Sequence, residues 1–195
     1  MIRSHRDVSP SIASSAYIDT SAQVVGNVVI GEKSSVWLNA VVRGDVNAIR
    51  IGHRTNLQDG VLVHVNREPS HPAVLGDDVT VGHGAILHGC TVGDRCVIGM
   101  GVMLLNGCRI GAESIVAAGT LVPERVQIPS GSLVMGAPAR VRRELTNEER
   151  ALRAGRTAAH VPEEPRPALV NPCNPCNPWI SSLETRAFQP APAIR

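Results

Sequence analysis

The chain has 195 residues, a formal net charge of +2, 43% hydrophobic residues and only 2% aromatics, enough for one sizeable domain with length left over. Basic residues are interspersed with acidic ones and no run approaches the roughly 18 apolar residues of a membrane span, so neither nucleic acid nor a membrane is expected as a partner, and the cytoplasm is the expected compartment. An interior with so few aromatics has to be narrow and lined by aliphatic and small side chains.

In chain order, aliphatic residues recur every six positions at Ile12, Ile18, Val24, Ile30, Val36 and Val42, then at Ile51, Leu57 and Val63, then at Leu75, Val81 and Leu87. The step continues without exception through Val92, Ile98, Leu104, Ile110, Val116, Val122, Ile128 and Val134. Several are followed by glycine, as at Gly31, Gly52, Gly76, Gly82, Gly93, Gly99 and Gly111, where a sharp turn is expected. A small residue stands two places before many of them, among them Cys90, Cys96, Cys108, Ser114 and Thr120. This is the pattern of a parallel β-helix of hexapeptide repeats, with three hexads to a coil of about eighteen residues. The three cysteines then read as small buried side chains, not a disulfide framework.

The repeat region is assigned to residues 1–143. Thr146 and Glu149 have capping-box spacing and open a helical stretch, ERALRAGRTAAH, ended by Pro162, so a C-terminal helix is expected within 144–161. Its arginines read as a solvated helix face. Residues 162–195 are proline-rich without periodicity and are expected to be a disordered tail, in which Cys173 and Cys176 form a lone CxxC.

Three breaks in the frame decide which side chains stack. Three extra residues lie between Val42 and Ile51, one is missing between Leu87 and Val92, and the segment NREPSHP between Val63 and Leu75 reads as a protruding loop. With these counted, positions 42, 63 and 87 are one coil apart. Arg43, His64 and His88, which follow them, form one outward column. Asp59 and His83 form a second, one edge away. Columns on different edges of a convex prism diverge, so His83 cannot join the other histidines within one chain. A threefold homotrimer brings the first column of one subunit against the second column of its neighbour. His64 and His88 then meet a neighbour's His83, and Arg43 meets a neighbour's Asp59. Three imidazoles around an open fourth position are a ligand set suited to catalytic zinc.

The segments VVRGDV, NLQDGVLVH, VGHGAILHGC and VMGAPARV resemble the γ-class carbonic anhydrase family, especially its shorter-loop bacterial branch, over roughly residues 10 to 155. The resemblance implies a left-handed coil, which the period alone does not give. It implies that His64 and His88 with a neighbour's His83 hold Zn2+, or Fe2+ or Co2+. It further implies that Arg43, Asp45 and Asp59 build the subunit interface and that Gln58 hydrogen-bonds near the metal-bound water. Zinc lowers the pKa of such a water to about 7, which gives a hydroxide able to attack CO2 and yield bicarbonate. Gln58 carries both an acceptor and donors with which to orient the reacting oxygens.

Two features depart from the family pattern. Val46 stands where members carry a proton-moving glutamate, and the loop that holds a second one is short, leaving Glu68 and His71 as the candidates there. Tyr17 is the only tyrosine, whereas many members place one near the site from the C-terminal region. Two other functions share this fold: a hexapeptide-repeat acyltransferase or acyl-CoA thioesterase, which would need one histidine as a base and not three converging, and a catalytically silent scaffold that keeps the interface.

Overall fold

The computed structural model describes residues 1–68 and 71–154, and over these the chain is a parallel β-helix with a short terminal helix. Three faces repeat up the coil, and each presents one ladder of inward aliphatics. On the first face Val24, Val42, Val63, Leu87, Leu104 and Val122 are successive partners. The second stacks Ile12, Ile30, Ile51, Leu75, Val92, Ile110 and Ile128. The third stacks Ile18, Val36, Leu57, Val81, Ile98, Val116 and Val134.

These ladders form the core, and the small residues before them, including Cys90, Cys96 and Cys108, are buried in it as thiols. Each enclosed Val, Leu or Ile contributes about 1.5–3 kcal/mol by leaving water. Narrow coils admit no larger side chain, which is why the aromatic content is so low.

The glycines after the inward aliphatics are not the turn residues that the hexad pattern suggested. None of them has a positive φ. They are there because successive coils touch: a Cβ on Gly31 would lie 2.7 Å from the Gly52 backbone, one on Gly99 2.5 Å from the Ala118 nitrogen and one on Gly111 2.4 Å from the Ser130 nitrogen. The left-handed corner residues come later in the hexad. They are Lys33, Arg54, Asp78, Arg95, Glu113 and Gly131 on one edge, Asn39, Gly60, Gly84, Gly101 and Gly119 on another, and Gly89, Gly107 and Arg125 on the third.

The three extra residues after Val42 are absorbed in one place. Strands Gln23–Ile30 and Val41–Ile51 run around the corner from the first face to the second, and their register shifts between Gly26 and Val28, so that Gly26 faces Gly44 while Val28 faces Ile49. The longer strand bulges across residues 45–48, at the level of the histidine column.

At the C-terminal end, strand Arg140–Glu144 pairs antiparallel with Ser132–Met135. The last partners in the parallel ladders are Leu133 and Val134, and the antiparallel strand closes the sheet beyond them. No apolar alternation announces this strand, because all five of its side chains are exposed, and a charged strand protects the end of the sheet from further pairing. The helix spans Asn147–Ala154. Thr146 Oγ1 accepts from the Glu149 N–H at 3.2 Å and Glu149 Oε2 accepts from the Thr146 N–H at 2.9 Å, the reciprocal bonds of a capping box. Residues 155–161 and the tail at 162–195 lie outside the described residues.

Candidate metal centre on the first face

Strand pairing puts Arg43, His64 and His88 in register on adjacent coils. His64 Nδ1 and His88 Nε2 face each other at 3.1 Å. Two ligands of a tetrahedral metal with bonds of about 2.0–2.1 Å would stand roughly 3.3 Å apart, so the spacing suits a shared cation.

The outer nitrogens decide where the protons are. His64 Nε2 lies 3.0 Å from Asp45 Oδ1, and His88 Nδ1 lies 2.7 Å from Asn106 Oδ1. Both partners are acceptor oxygens, so each ring donates outward. In the neutral pair, lone pairs therefore face one another across the gap. Only a cation between them, a proton or a metal ion, turns that repulsion into attraction. Burial pushes the His64 imidazole below its ordinary pKa and the Arg43 charge adds to this, against the opposing pull of Asp45.

Asp45 owes its place to the bulge after Gly44. Burial opposes its ionisation, but the hydrogen bond with His64 and the charge and hydrogen bond of Arg43 prevail, and its pKa lies below the usual carboxylate value. Arg43 Nη1 donates to Asp45 Oδ2. Within its own chain Asp45 therefore orients a histidine, besides whatever it does at an interface.

Asp59 and His83 stand elsewhere, one edge away, each just before a corner glycine. Asp59 Oδ2 is 2.7 Å from His83 Nδ1, which leaves Nε2 as the other ring nitrogen, and the His83 side chain is 50% exposed against 17% for His64. Among the described residues of this single chain, no three His, Cys, Asp or Glu side chains converge as a metal cage. Gln58 is buried, and its Oε1 has no hydrogen-bond partner among the described residues. A buried amide oxygen without a partner costs on the order of 1–3 kcal/mol and fits a site completed from outside. In the loop, His71 Nδ1 lies 2.7 Å from Glu68 Oε2, at ion-pair distance without hydrogen-bond alignment, and a Cβ on Gly107 would meet the His71 ring nitrogen Nε2 at 2.8 Å.

Between the two histidine columns runs an exposed apolar ladder. Leu62 pairs with Ile86 and Ile86 with Met103, and their exposures are 37%, 38% and 39%. Two members of the site went unpredicted, Asn106 and the Glu124 carboxylate that accepts from Asn106 Nδ2 at 3.1 Å. The missing residue between Leu87 and Val92 was their one sequence signal. It shortens the corner at Gly89, and Asn106 in the next coil reaches over it.

Fold and site together define a hexapeptide-repeat β-helix protein with paired histidines on one outer face. The family model "Bacterial transferase hexapeptide (six repeats)" matches residues 72–106 and 89–124. A carbonic anhydrase of Geobacillus kaustophilus is 43% identical over 149 residues, covering 76% of this chain and 81% of the relative. The mitochondrial gamma carbonic anhydrase 1 of Arabidopsis thaliana is 44% identical over 147 residues, 73% of this chain, and the match spans about half, 54%, of that longer protein. A solved Bacillus cereus structure described as an acetyltransferase is 42% identical with a TM-score of 0.80, covering 83% of this chain and 92% of that one. The chain belongs to the γ-carbonic anhydrase family.

Proposed function

We propose that this protein hydrates CO2 reversibly to bicarbonate at a metal site shared between subunits of a homotrimer. The observation that carries this reading is the facing pair of His64 Nδ1 and His88 Nε2 at 3.1 Å, with the outward N–H of each ring engaged by Asp45 and Asn106. Hydrogen bonds of this kind from the outer ring nitrogen fix ring orientation, and the one to the Asp45 carboxylate also raises ligand basicity. His83 of the neighbouring subunit supplies the third nitrogen. Zinc is the proposed ion, since three imidazoles and an open position suit it, with Fe2+ or Co2+ as the other candidates.

When bound, such an ion supplies a nucleophile at neutral pH by lowering the pKa of its water to about 7. The chain's own residues do the rest. Gln58 offers its unpartnered carbonyl oxygen as an acceptor for a proton of the reacting water, and its amide N–H groups for a developing bicarbonate oxygen. Arg43 and Asp59 lie on the two columns that a trimer brings together, and we assign them to the interface. The Leu62, Ile86 and Met103 ladder supports the same assignment, since a neighbour would shield it from water. Names among the relatives agree with CO2 hydration, while the Bacillus cereus description points to acyl transfer. An acyltransferase base needs one imidazole with a free lone pair, and two lone pairs aimed at each other serve no such role. The test is CO2 hydration by stopped flow, before and after chelation. Chelator-sensitive activity restored by Zn2+, Fe2+ or Co2+ is expected; metal binding without hydration would leave the silent scaffold.

A further inference from the structure

We propose that Asn106, clamped by Glu124, is a positioning residue that sets the His88 ring for metal binding; the inference rests on the metal reading above. Asn106 does not lie in the Arg43–His64–His88 column. Leu87 pairs with Leu104, so Leu105 is the residue above His88 and Asn106 stands one further along. It reaches back because the coil below is one residue shorter at its corner.

Gly89, with φ +54, makes that corner, and the Gly107 N–H donates to the Gly89 carbonyl at 2.7 Å. A Cβ on Gly89 would lie 2.6 Å from Asn106 Oδ1, so the missing side chain is the space the carboxamide occupies. A carboxamide can present either oxygen or nitrogen, and only oxygen can accept from His88. Glu124 makes that choice: Asn106 Nδ2 donates to Glu124 Oε1 at 3.1 Å, leaving Oδ1 to accept from His88 Nδ1 at 2.7 Å. With Nδ1 thus protonated, the lone pair of His88 is on Nε2, facing His64.

The two ligand histidines are therefore held by different means. His64 has a carboxylate, Asp45, and His88 has a neutral amide whose orientation is fixed by a carboxylate one coil further up. Without the amide, His88 can take the other tautomer and turn its protonated nitrogen toward the ion.

The test uses the full-length trimer, with Co2+ and Zn2+ as probes and chelator competition as the readout. Asn106→Ala should weaken metal affinity by about 10–100-fold, while light scattering still gives a trimer and the melting temperature of metal-free protein stays near wild type. Asn106→Asp combined with Glu124→Gln restores both an acceptor for His88 and a donor to hold it, and should return affinity to within about threefold of wild type. If Asn106→Ala disturbs folding, Glu124→Ala takes its place: Glu124 is exposed, its loss leaves the coil intact, and a severalfold weakening with an altered Co2+ visible spectrum is expected. Wild-type affinity in Asn106→Ala, or in Glu124→Ala where that replaces it, overturns the inference and leaves the metal reading standing. A wild type that holds no metal overturns both.

Discussion

Two edges of this β-helix turn with the same backbone and carry opposite side chains. Between the second and third faces the left-handed corner is taken by Lys33, Arg54, Asp78, Arg95 and Glu113, at φ from +52° to +63°, and by Gly131 only in the last coil. Each residue with a Cβ costs about 1–2 kcal/mol in that conformation. In return the side chains project into water and pair between coils: Arg54 makes two 2.7 Å bonds to Asp78, and Arg95 lies 2.8 Å from Glu113. Between the third and first faces, corners of the same hand are held by Asn39 in the lowest of these coils and then by Gly60, Gly84, Gly101 and Gly119. A Cβ on Gly84, Gly101 or Gly119 would touch nothing within 4 Å among the described residues. Local packing does not ask for glycine there. What distinguishes this edge is its company: Asp59 and His83 precede two of the glycines, and the Leu62, Ile86 and Met103 ladder follows. A charged, solvated edge and a smooth one beside an apolar ladder are what a protein needs when water meets the first and another subunit meets the second.

The strongest way to break this comparison is to give the smooth edge the side chains of the charged one. Gly84→Arg adopts a backbone that Arg54 and Arg95 already tolerate, so it should cost only about 1–2 kcal/mol in stability. It should nonetheless abolish trimerisation and metal binding. Light scattering giving a trimer for this variant would show that the edge does not face a neighbour.

The second contrast separates glycines needed for a turn from those needed for contact between coils. Gly99→Ala puts a Cβ 2.5 Å from the Ala118 nitrogen, and should destabilise by about 1–3 kcal/mol, the usual cost of overpacking. A melting temperature equal to wild type would show that the coils have room to separate.

A smaller effect belongs to the C-terminal cap. The Glu149 carboxyl is held down to about 2 from an ordinary 4.5, chiefly by its hydrogen bond with Arg143, and the backbone of Thr146 also donates to it. Since folding lowers this pKa, the stabilisation is full above about 4.5 and fades as pH falls toward 2. Glu149→Gln should cost about 1 kcal/mol at neutral pH and progressively less in acid. A gap between the two proteins that stays constant from pH 7 to pH 2.5 would refute the ionic part of the cap. Smallest of all is Arg54→Ala, whose exposed pair with Asp78 is worth less than about 1 kcal/mol. Denaturant titration should detect little change and the trimer should persist; dissociation would give the charged edge a role in assembly.

The sequence made the ladders legible because a fixed period leaves little choice of what faces inward, and the frame breaks then fixed the registers that pair Arg43 with His64 and His64 with His88. The two uses of glycine were not legible, since a glycine that admits a neighbouring coil and one that turns the chain look alike in sequence. Asp45 could be placed only through resemblance, because its contact with His64 depends on how three extra residues bulge. Asn106 was missed for a related reason. Its reach follows from the length of the corner beneath it, not from its own place in the hexad.

The proposed division of one metal site between two subunits is tested most directly by complementation. A chain carrying His83→Ala still offers His64 and His88, and a chain carrying both His64→Ala and His88→Ala still offers His83. Around a ring of three, every mixed trimer has one junction that joins intact His64 and His88 to an intact neighbouring His83. Each variant alone should bind no metal, and isolated mixed trimers should hold one ion each by elemental analysis. Mixed trimers without metal, beside wild-type trimers that bind it under the same conditions, would contradict the divided site.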